Sequence, residues 1–263
     1  MCPWLLDDPV PEIPDRDPDG LDGPDAPVWA MPLILRMERP GGPVEPPTRT
    51  ALLEAAAAAA LALCLDDRAA PDGPWYDAVA TWAGAGRIRK VARRARTSHW
   101  RGVDEVEGLT VGRAGAEVRA LVPGDVDDVP QEVRRLQIGG TDLPDDSADA
   151  AAPPPERAVI WLNPGVEQST GKAAAQVGHA SMILAVVLAA SGADPAPALD
   201  AAVRTASGAD WEIWSATLGQ DGSGREAWVR HGVSPVRDAG FTEVAAGTVT
   251  CMAQGVGPGG IRR

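Results

Sequence analysis

Residues 157–190 carry the clearest pattern of secondary structure in the sequence. They read RAVIWLNPGVEQSTGKAAAQVGHASMILAVVLAA. The apolar run 157–162 is typical of a buried β-strand, and Asn163-Pro-Gly165 is a turn signal. Ser169 or Thr170 can then cap a helix that continues to Ala190, because a hydroxyl at that position accepts a free backbone N–H. The pattern predicts a β-strand followed by a mostly apolar helix.

The first part of the chain begins in the same order. An apolar run at 32–37 predicts a strand, and a loop rich in glycine and proline leads to a helix over 51–65, with Thr48 or Thr50 as its cap. Further on, the sequence predicts a strand at 116–122 and an amphipathic helix at 129–136. The segment 75–97 is left open, because helical spacing of Ile88, Val91, Ala92 and Ala95 competes with helix-weakening Gly84 and Gly86.

The rest of the chain predicts a strand at 211–218, a short helix at 225–231 and strands at 233–236 and 248–253. The fold class is therefore α/β. Because both parts run from strand to alanine-rich helix to mixed strands, an internal duplication is one interpretation. Independent convergence through a coding bias toward alanine is the other.

Acidic residues are concentrated in two segments. The whole chain of 263 residues has a net charge of −13, yet residues 1–30 hold eight acidic residues and one arginine, and 141–157 hold five and one. Both segments are rich in proline and aspartate, which is typical of disorder. We therefore predict a disordered leader at 1–30, a first α/β unit at 31–140, a linker at 141–156 and a second α/β unit at 157–263.

The remaining composition bounds the location and the cofactors. The three cysteines lie far apart and form no Cys/His cluster, so we expect a reduced, cytoplasmic setting and no metal or other cofactor. The N-terminus is acidic where a signal peptide needs a basic stretch. The apolar runs 51–65 and 173–190 contain Glu54, and Gln176 with His179, so we expect no membrane span.

Three polar side chains share one face of the second predicted helix. Lys172, Gln176 and His179 are spaced i, i+4, i+7, which places them within an arc of about 60°. Such a stripe on an apolar helix is costly unless it lines a cleft, and a solvated helix face is the alternative interpretation.

The start of this helix is also a natural site for an anion, because its free backbone N–H groups point outward there. It is not a phosphate-binding loop of the NTPase type. Five residues rather than four separate Gly165 from Gly171, and Ala173 stands where serine or threonine would bind magnesium.

A second segment, from Asp238 to Thr250, reads DAGFTEVAAGTVT. The turn Asp238-Ala-Gly240 would present the Asp238 carboxylate at the edge of the sheet. Alone it is a weak signal, since most such tripeptides are only turns.

Together the two segments resemble the type II peptidyl-tRNA hydrolase family. The shared pattern is Gly-Lys-x-x-x-Gln-x-x-His-Ala at 171–180 and Asp-Ala-Gly-x-Thr-Glu-x-x-x-Gly-Thr-x-Thr at 238–250, and the resemblance covers about 158–258. It implies a small mixed four-stranded sheet flanked by helices, often a homodimer, with no metal. It also implies that the functional positions are Lys172, Gln176, His179, Asp238, Thr242 and Thr248.

Two parts of the family pattern are missing from the second unit but have counterparts in the first. The tryptophan, glycine and basic stretch resembles 82–90, and the helix that follows the last strand resembles 121–136; the second unit is followed instead by Gly-Pro-Gly-Gly-Ile-Arg-Arg263. We therefore expect a tandem fusion, a monomeric pseudo-dimer or a homodimer, with a degenerate first copy. The first copy has Arg49-Thr-Ala-Leu-Leu-Glu-Ala55 in place of the catalytic helix pattern.

The expected reaction is hydrolysis of the ester between peptide and tRNA. It needs an oriented water, a base and stabilisation of an oxyanion. Asp238 is the expected base or water-orienting group, with His179 as the alternative base. Lys172 would contact the oxyanion or a phosphate, and Gln176 would position water or the peptide carbonyl. A tRNA- or protein-binding module without catalysis is the rival interpretation.

The tRNA itself needs cations. Six basic residues fall within ten positions: Arg87, Arg89, Lys90, Arg93, Arg94 and Arg96. We expect them to bind tRNA phosphates, which would make affinity fall with salt. The alternative is a solvated basic face that pairs with the acidic segments.

Overall fold

The computed structural model describes residues 27–42, 44–84, 88–219 and 224–256. The first unit contains β1 (Trp29–Arg36), α1 (Arg49–Leu65), α2 (Tyr76–Gly84), β2 (Lys90–Ala95), α3 (Thr97–Gly102), β3 (Gly108–Arg113), β4 (Ala116–Leu121), β5 (Gly124–Asp125) and α4 (Gln131–Arg134). The second contains β6 (Val159–Leu162), α5 (Thr170–Ala190), β7 (Ala202–Thr205), α6 (Gly208–Ser215), α7 (Arg225–His231), β8 (Val233–Arg237) and β9 (Val249–Gln254). Short 3-10 turns lie at Asp67–Ala69, Val103–Glu105 and Ala196–Asp200.

The two units have the same sheet topology. The strand order is β2-β1-β4-β3 in the first sheet and β7-β6-β9-β8 in the second, and β5 adds a fifth strand to the first. In each sheet the two strands joined through the long helix are parallel, while the other neighbours are antiparallel. The predicted α/β class, with mixed sheets of four to five strands flanked by helices, is confirmed. The duplication itself stays a prediction.

The two long helices begin where their caps predict. The Thr48 hydroxyl accepts from the Ala51 N–H, and the Ser169 hydroxyl accepts from the Lys172 N–H. Neither helix has the wide polar face of a surface helix, and twelve of the 17 residues of α1 are buried. A helix that is apolar all round has to be covered by protein on more than one side.

Helices α1 and α5 cover each other. They pack together between the two sheets, and α5 also reaches across to β2 of the first unit. The Ser181 hydroxyl of α5 donates to the Ala57 carbonyl of α1 at 2.7 Å, a separation that small residues along both helices permit. Buried side chains of both units consequently form one continuous core.

The segment 141–156 contains no helix or strand, yet it does not fit the expected disordered linker. Thr141 is 1% exposed, and its hydroxyl accepts from the Gly171 N–H at 3.1 Å. Asp146 accepts from the Thr50 N–H at 2.9 Å. The segment thus contacts the first turn of both α1 and α5, where free N–H groups need acceptors.

The strand expected at 211–218 is wrong. Ser207 caps a helix there by accepting from the Asp210 N–H, and α6 occupies Gly208–Ser215. A short segment rich in apolar residues does not distinguish a strand from a helix, whereas the Ser207 cap and the three-residue spacing of Trp211 and Trp214 are typical of a helix. The parallel strand is instead the earlier β7. The open segment 75–97 resolves into α2 followed by β2.

Several predictions fall outside the described residues, namely those for Arg87, for most of the acidic leader (1–26) and for the C-terminal 257–263. Among the described residues, α5 alone is long and apolar enough to cross a membrane by length and composition. Most of its apolar window is buried inside the protein.

Candidate functional site

The first turn of α5 and the loop between β8 and β9 build the candidate site. The loop spans 238–248, and its first residue is held tightly: the Asp238 N–H donates to the Thr248 carbonyl, and the Asp238 carbonyl accepts from Gly247. The Gly240 N–H donates to Oδ1 of Asp238 at 2.7 Å. Gly240 has φ +79° and lies so close to Ala246 that a Cβ would collide with its backbone, so this turn requires glycine.

Asp238 meets the stripe of α5. Its Oδ2 lies 2.5 Å from Nζ of Lys172 and accepts from Nε2 of Gln176 at 2.8 Å. Only 9% of the Lys172 side chain and 5% of the Asp238 side chain are exposed. Removing two charges from water is favourable only when they pair closely and the remaining lone pairs are used, and both conditions hold here.

The Lys172 ammonium also contacts Thr242, an exposed residue of the same loop. Its Nζ donates to the Thr242 hydroxyl at 3.2 Å. The helix start is fastened to the same loop, because the Glu243 carboxylate accepts from the N–H and the hydroxyl of Ser169 at 2.9 and 2.8 Å. Glu243 was not among the predicted site residues, although it is the last residue of the motif Asp-Ala-Gly-x-Thr-Glu.

Thr250 completes the cluster and was also missed. Its fully buried hydroxyl donates to Oε1 of Gln176 at 2.6 Å, which fixes the orientation of the Gln176 amide. Thr248 was predicted together with Thr242. Its contacts in the loop are made by its backbone, because its carbonyl accepts from the Asp238 N–H and its N–H donates to the Ala245 carbonyl. The signal was present in the motif Gly-Thr-x-Thr, since residues 248 and 250 of an extended chain point to the same side.

His179 contacts a different partner. Its Nδ1 lies 3.0 Å from Nζ of Lys90, the first residue of β2 in the other unit. Burial lowers the pKa of His179 well below 6.5, and the charges of Lys90 and Lys172 lower it further. His179 is therefore a neutral imidazole at pH 7. The structure brings Lys172, Gln176, Asp238 and Thr242 together, with His179 one turn farther along the helix.

The described residues of the basic stretch point to more than one side of β2. Lys90 is wrong as a phosphate-binding residue, because it is buried and points into the protein toward α5. Strand alternation sends Arg93 to the opposite face, where its guanidinium donates to the carbonyls of Val133 and Leu136. Burial lowers the pKa of Arg93.

The other described arginines of this stretch also make specific contacts. Arg94 donates to the Gln137 side chain, and Arg96 donates to the Met37 carbonyl at 2.8 Å. Arg89 lies nearest the candidate site, with its guanidinium carbon 4.8 Å from the ring centroid of Phe241 in the 238–248 loop. Phe241 is exposed, so this cation–π pair lies beside Thr242 on the open side of the site.

Comparisons with protein-family models, with curated proteins and with solved structures found no match for this chain. Within the described residues no group of three or more His, Cys, Asp or Glu side chains is placed to hold a metal ion.

Proposed function

We propose that the chain hydrolyses the ester bond between peptide and tRNA in peptidyl-tRNA, releasing free tRNA, and that Lys172, Gln176 and Asp238 form the centre of its active site. One observation carries the proposal. The two motifs on which the family resemblance depends lie 66 residues apart from Lys172 to Asp238, yet these side chains are in contact in a charged, nearly dry cluster. A solvated helix face would not bury them.

The hydrogen bonds refine the roles that the residues take in this proposal. Both Asp238 oxygens already accept, from Lys172, Gln176 and the Gly240 N–H. Asp238 therefore holds the Lys172 ammonium in place rather than taking a proton from water. Lys172, at the positive end of α5, stabilises the negative charge that develops on the acyl oxygen.

His179 is the base of the proposed reaction. It is neutral at neutral pH, so it can accept a proton. A water molecule attacks the acyl carbon while His179 removes its proton. The bond between the acyl carbon and the ribose oxygen then breaks, and the ribose oxygen receives the proton. Arg89 and Phe241 at the open side are the groups placed to contact the RNA end, one by charge and one by stacking on a base.

The test is the release of peptide from a labelled model peptidyl-tRNA. Lys172→Ala and Asp238→Ala should each lower the rate by about 10²–10³-fold, as the loss of one oxyanion-stabilising group does. Arg230→Ala is the matched control, because it also removes one cation from an ion pair, the exposed pair with Glu226 on α7. Activity that survives both substitutions would remove Lys172 and Asp238 from the site.

A tRNA-binding module without catalysis is the second candidate. The closed ion pair favours it, since Lys172 and Asp238 satisfy each other and leave little exposed surface. This candidate predicts that well-folded protein binds tRNA with an affinity that falls with salt, while it releases no peptide. Measuring both binding and release on one preparation distinguishes the two candidates.

A further inference from the structure

A buried lysine links the two units. Lys90 begins β2 of the first unit, is 9% exposed and extends its ammonium to within 3.0 Å of Nδ1 of His179. The described residues include no carboxylate at ion-pair distance from it. Lysines are almost never buried without a pairing partner, because an isolated ammonium loses its hydration. Lys90 therefore needs an explanation beyond packing.

The surrounding helices make room for this side chain. A Cβ on Gly178 of α5 would lie 3.1 Å from Cδ and 3.2 Å from Cε of Lys90, and 3.1 Å from the Cβ of Ala60 on α1. The aliphatic stem thus runs through the contact between α1 and α5, where a larger residue at 178 would displace it. On the α2 side, the Trp82 ring centroid lies 5.2 Å from the ammonium.

Five titratable groups determine the charge balance around the Lys90 ammonium. Burial lowers the pKa of Lys90 to about 7, and Cys64 on α1 opposes that shift. On α5, His179 and Lys172 face the same region, and the latter is neutralised by Asp238. Near neutral pH, Lys90 consequently changes between its charged and neutral forms while His179 remains uncharged.

A charged Lys90 fixes which nitrogen of His179 carries the proton, and a neutral Lys90 removes that constraint. A charged ammonium can only donate, so Nδ1 accepts and the imidazole proton stays on Nε2. A neutral amine has a lone pair, so Nδ1–H can donate to it, which leaves Nε2 free to accept a proton. Only the second arrangement makes Nε2 a base.

We infer that Lys90 is a positioning residue for His179, so that the first unit controls proton transfer in the second. The catalytic meaning of this inference rests on the proposed function, whereas the proton positions are measurable without any substrate. If the proposed function and this inference both hold, the rate of ester hydrolysis rises with pH as Lys90 loses its proton.

Nuclear magnetic resonance on the full chain tests the inference directly. The chain has two lysines and three histidines, so ¹³C-lysine and ¹⁵N-histidine spectra are simple to assign by substitution. We expect the Lys90 side chain to titrate near pH 7 and the ring nitrogens of His179 to change tautomer over the same interval, without becoming protonated. A Lys90 pKa above about 9, or ring signals that stay constant between pH 6 and 8, would overturn the inference.

Two variants separate positioning from packing. Lys90→Met should abolish the tautomer change of His179, and Arg230→Met should retain it, because Arg230 belongs to an exposed ion pair on α7. A tautomer change that persists in Lys90→Met would overturn the inference. If that variant does not fold, the wild-type titration still decides, since it needs no substitution.

The pH dependence of the hydrolysis rate is an independent test. The peptidyl-tRNA assay should show a rate that rises through about pH 7 in the wild type and loses that rise in Lys90→Met. An inactive wild type whose His179 still changes tautomer would refute the proposed function and leave the Lys90 inference standing. An active wild type whose rate rises identically in Lys90→Met would refute the Lys90 inference and leave the proposed function standing.

Discussion

The helices α1 and α5 occupy equivalent places in two sheets of the same topology, yet three matching positions along them are polar in α5 and apolar in α1. Counted from their caps Thr48 and Ser169, the third, seventh and tenth residues of α5 are Lys172, Gln176 and His179. The same positions of α1 are buried alanines, Ala51, Ala55 and Ala58.

The connections between the last two long strands of each sheet also differ, and again only the second unit supplies polar side chains to the site. Strands β3 and β4 are joined by a tight turn in which Ala114 and Gly115 both have positive φ. Strands β8 and β9 are joined by the 238–248 loop, which supplies Asp238, Thr242 and Glu243 to the site. The two units therefore share a sheet topology and differ in one helix face and one loop, and these two features supply the polar side chains of the candidate site.

The largest expected effect comes from moving the polar stripe into the first unit. Ala55→Gln places an amide at the position equivalent to Gln176, but Ala55 is 0% exposed and the first unit has no equivalent of Asp238. Overpacking and an unpaired buried amide should together lower the free energy of unfolding by about 2–6 kcal/mol. Urea unfolding followed by circular dichroism measures the change.

The matched substitution is Gln176→Ala, which makes the second helix resemble the first. This substitution causes no overpacking, because alanine is smaller than glutamine. It does remove the amide that donates to Asp238 and accepts from Thr250. A change of less than about 0.5 kcal/mol in Ala55→Gln would mean that α1 tolerates polar groups as a surface helix does, and the comparison would fail.

The sequence predicted this contrast in part. The two long helices, their caps and the stripe on α5 were predictable because caps and helical spacing act within a few residues. The short strand β7 was not, since Ala-Val-Arg-Thr at 202–205 is too brief for a periodic pattern. The α6 helix was mistaken for a strand, because a short segment rich in apolar residues fits either element.

The contacts between the two units could not be predicted from patterns in the sequence. Lys90 was predicted to bind RNA with its basic neighbours, whereas its partner His179 is 89 residues away. That contact depends on how α1 and α5 pack, and a single sequence contains no record of that packing. Thr250 was missed for a different reason: its motif was recognised, but the choice between two threonines needs the strand to be placed against α5.

The next effect concerns pH, and it contrasts the buried Lys90 with exposed cations. Burial lowers its pKa to about 7, whereas an unfolded lysine titrates near 10.4, so the unfolded chain binds more protons between these values. The Lys90 contribution to the free energy of unfolding should therefore rise from pH 7 to 10 and be level below pH 7. The full shift corresponds to as much as about 5 kcal/mol.

Lys90→Met should lose this rise, as measured by urea unfolding at several pH values. Arg230→Met, which removes an exposed cation of α7, should retain it. Parallel pH curves for the wild type and Lys90→Met would show that the ammonium is hydrated, and would contradict the buried position on which the link between the units depends.

The smallest effect decides which threonine of the second unit supports the site. Thr250→Val keeps the shape of a fully buried side chain but leaves Oε1 of Gln176 without its donor, which should cost about 1–3 kcal/mol of unfolding free energy. Thr250→Ser keeps the hydroxyl and should recover part of the loss. Thr248→Val should cost less than about 0.5 kcal/mol, because its loop contact is made by the backbone. If Thr248→Val were the more destabilising, the Gln176 amide would have another anchor, and the loop rather than the strand would orient the stripe of α5.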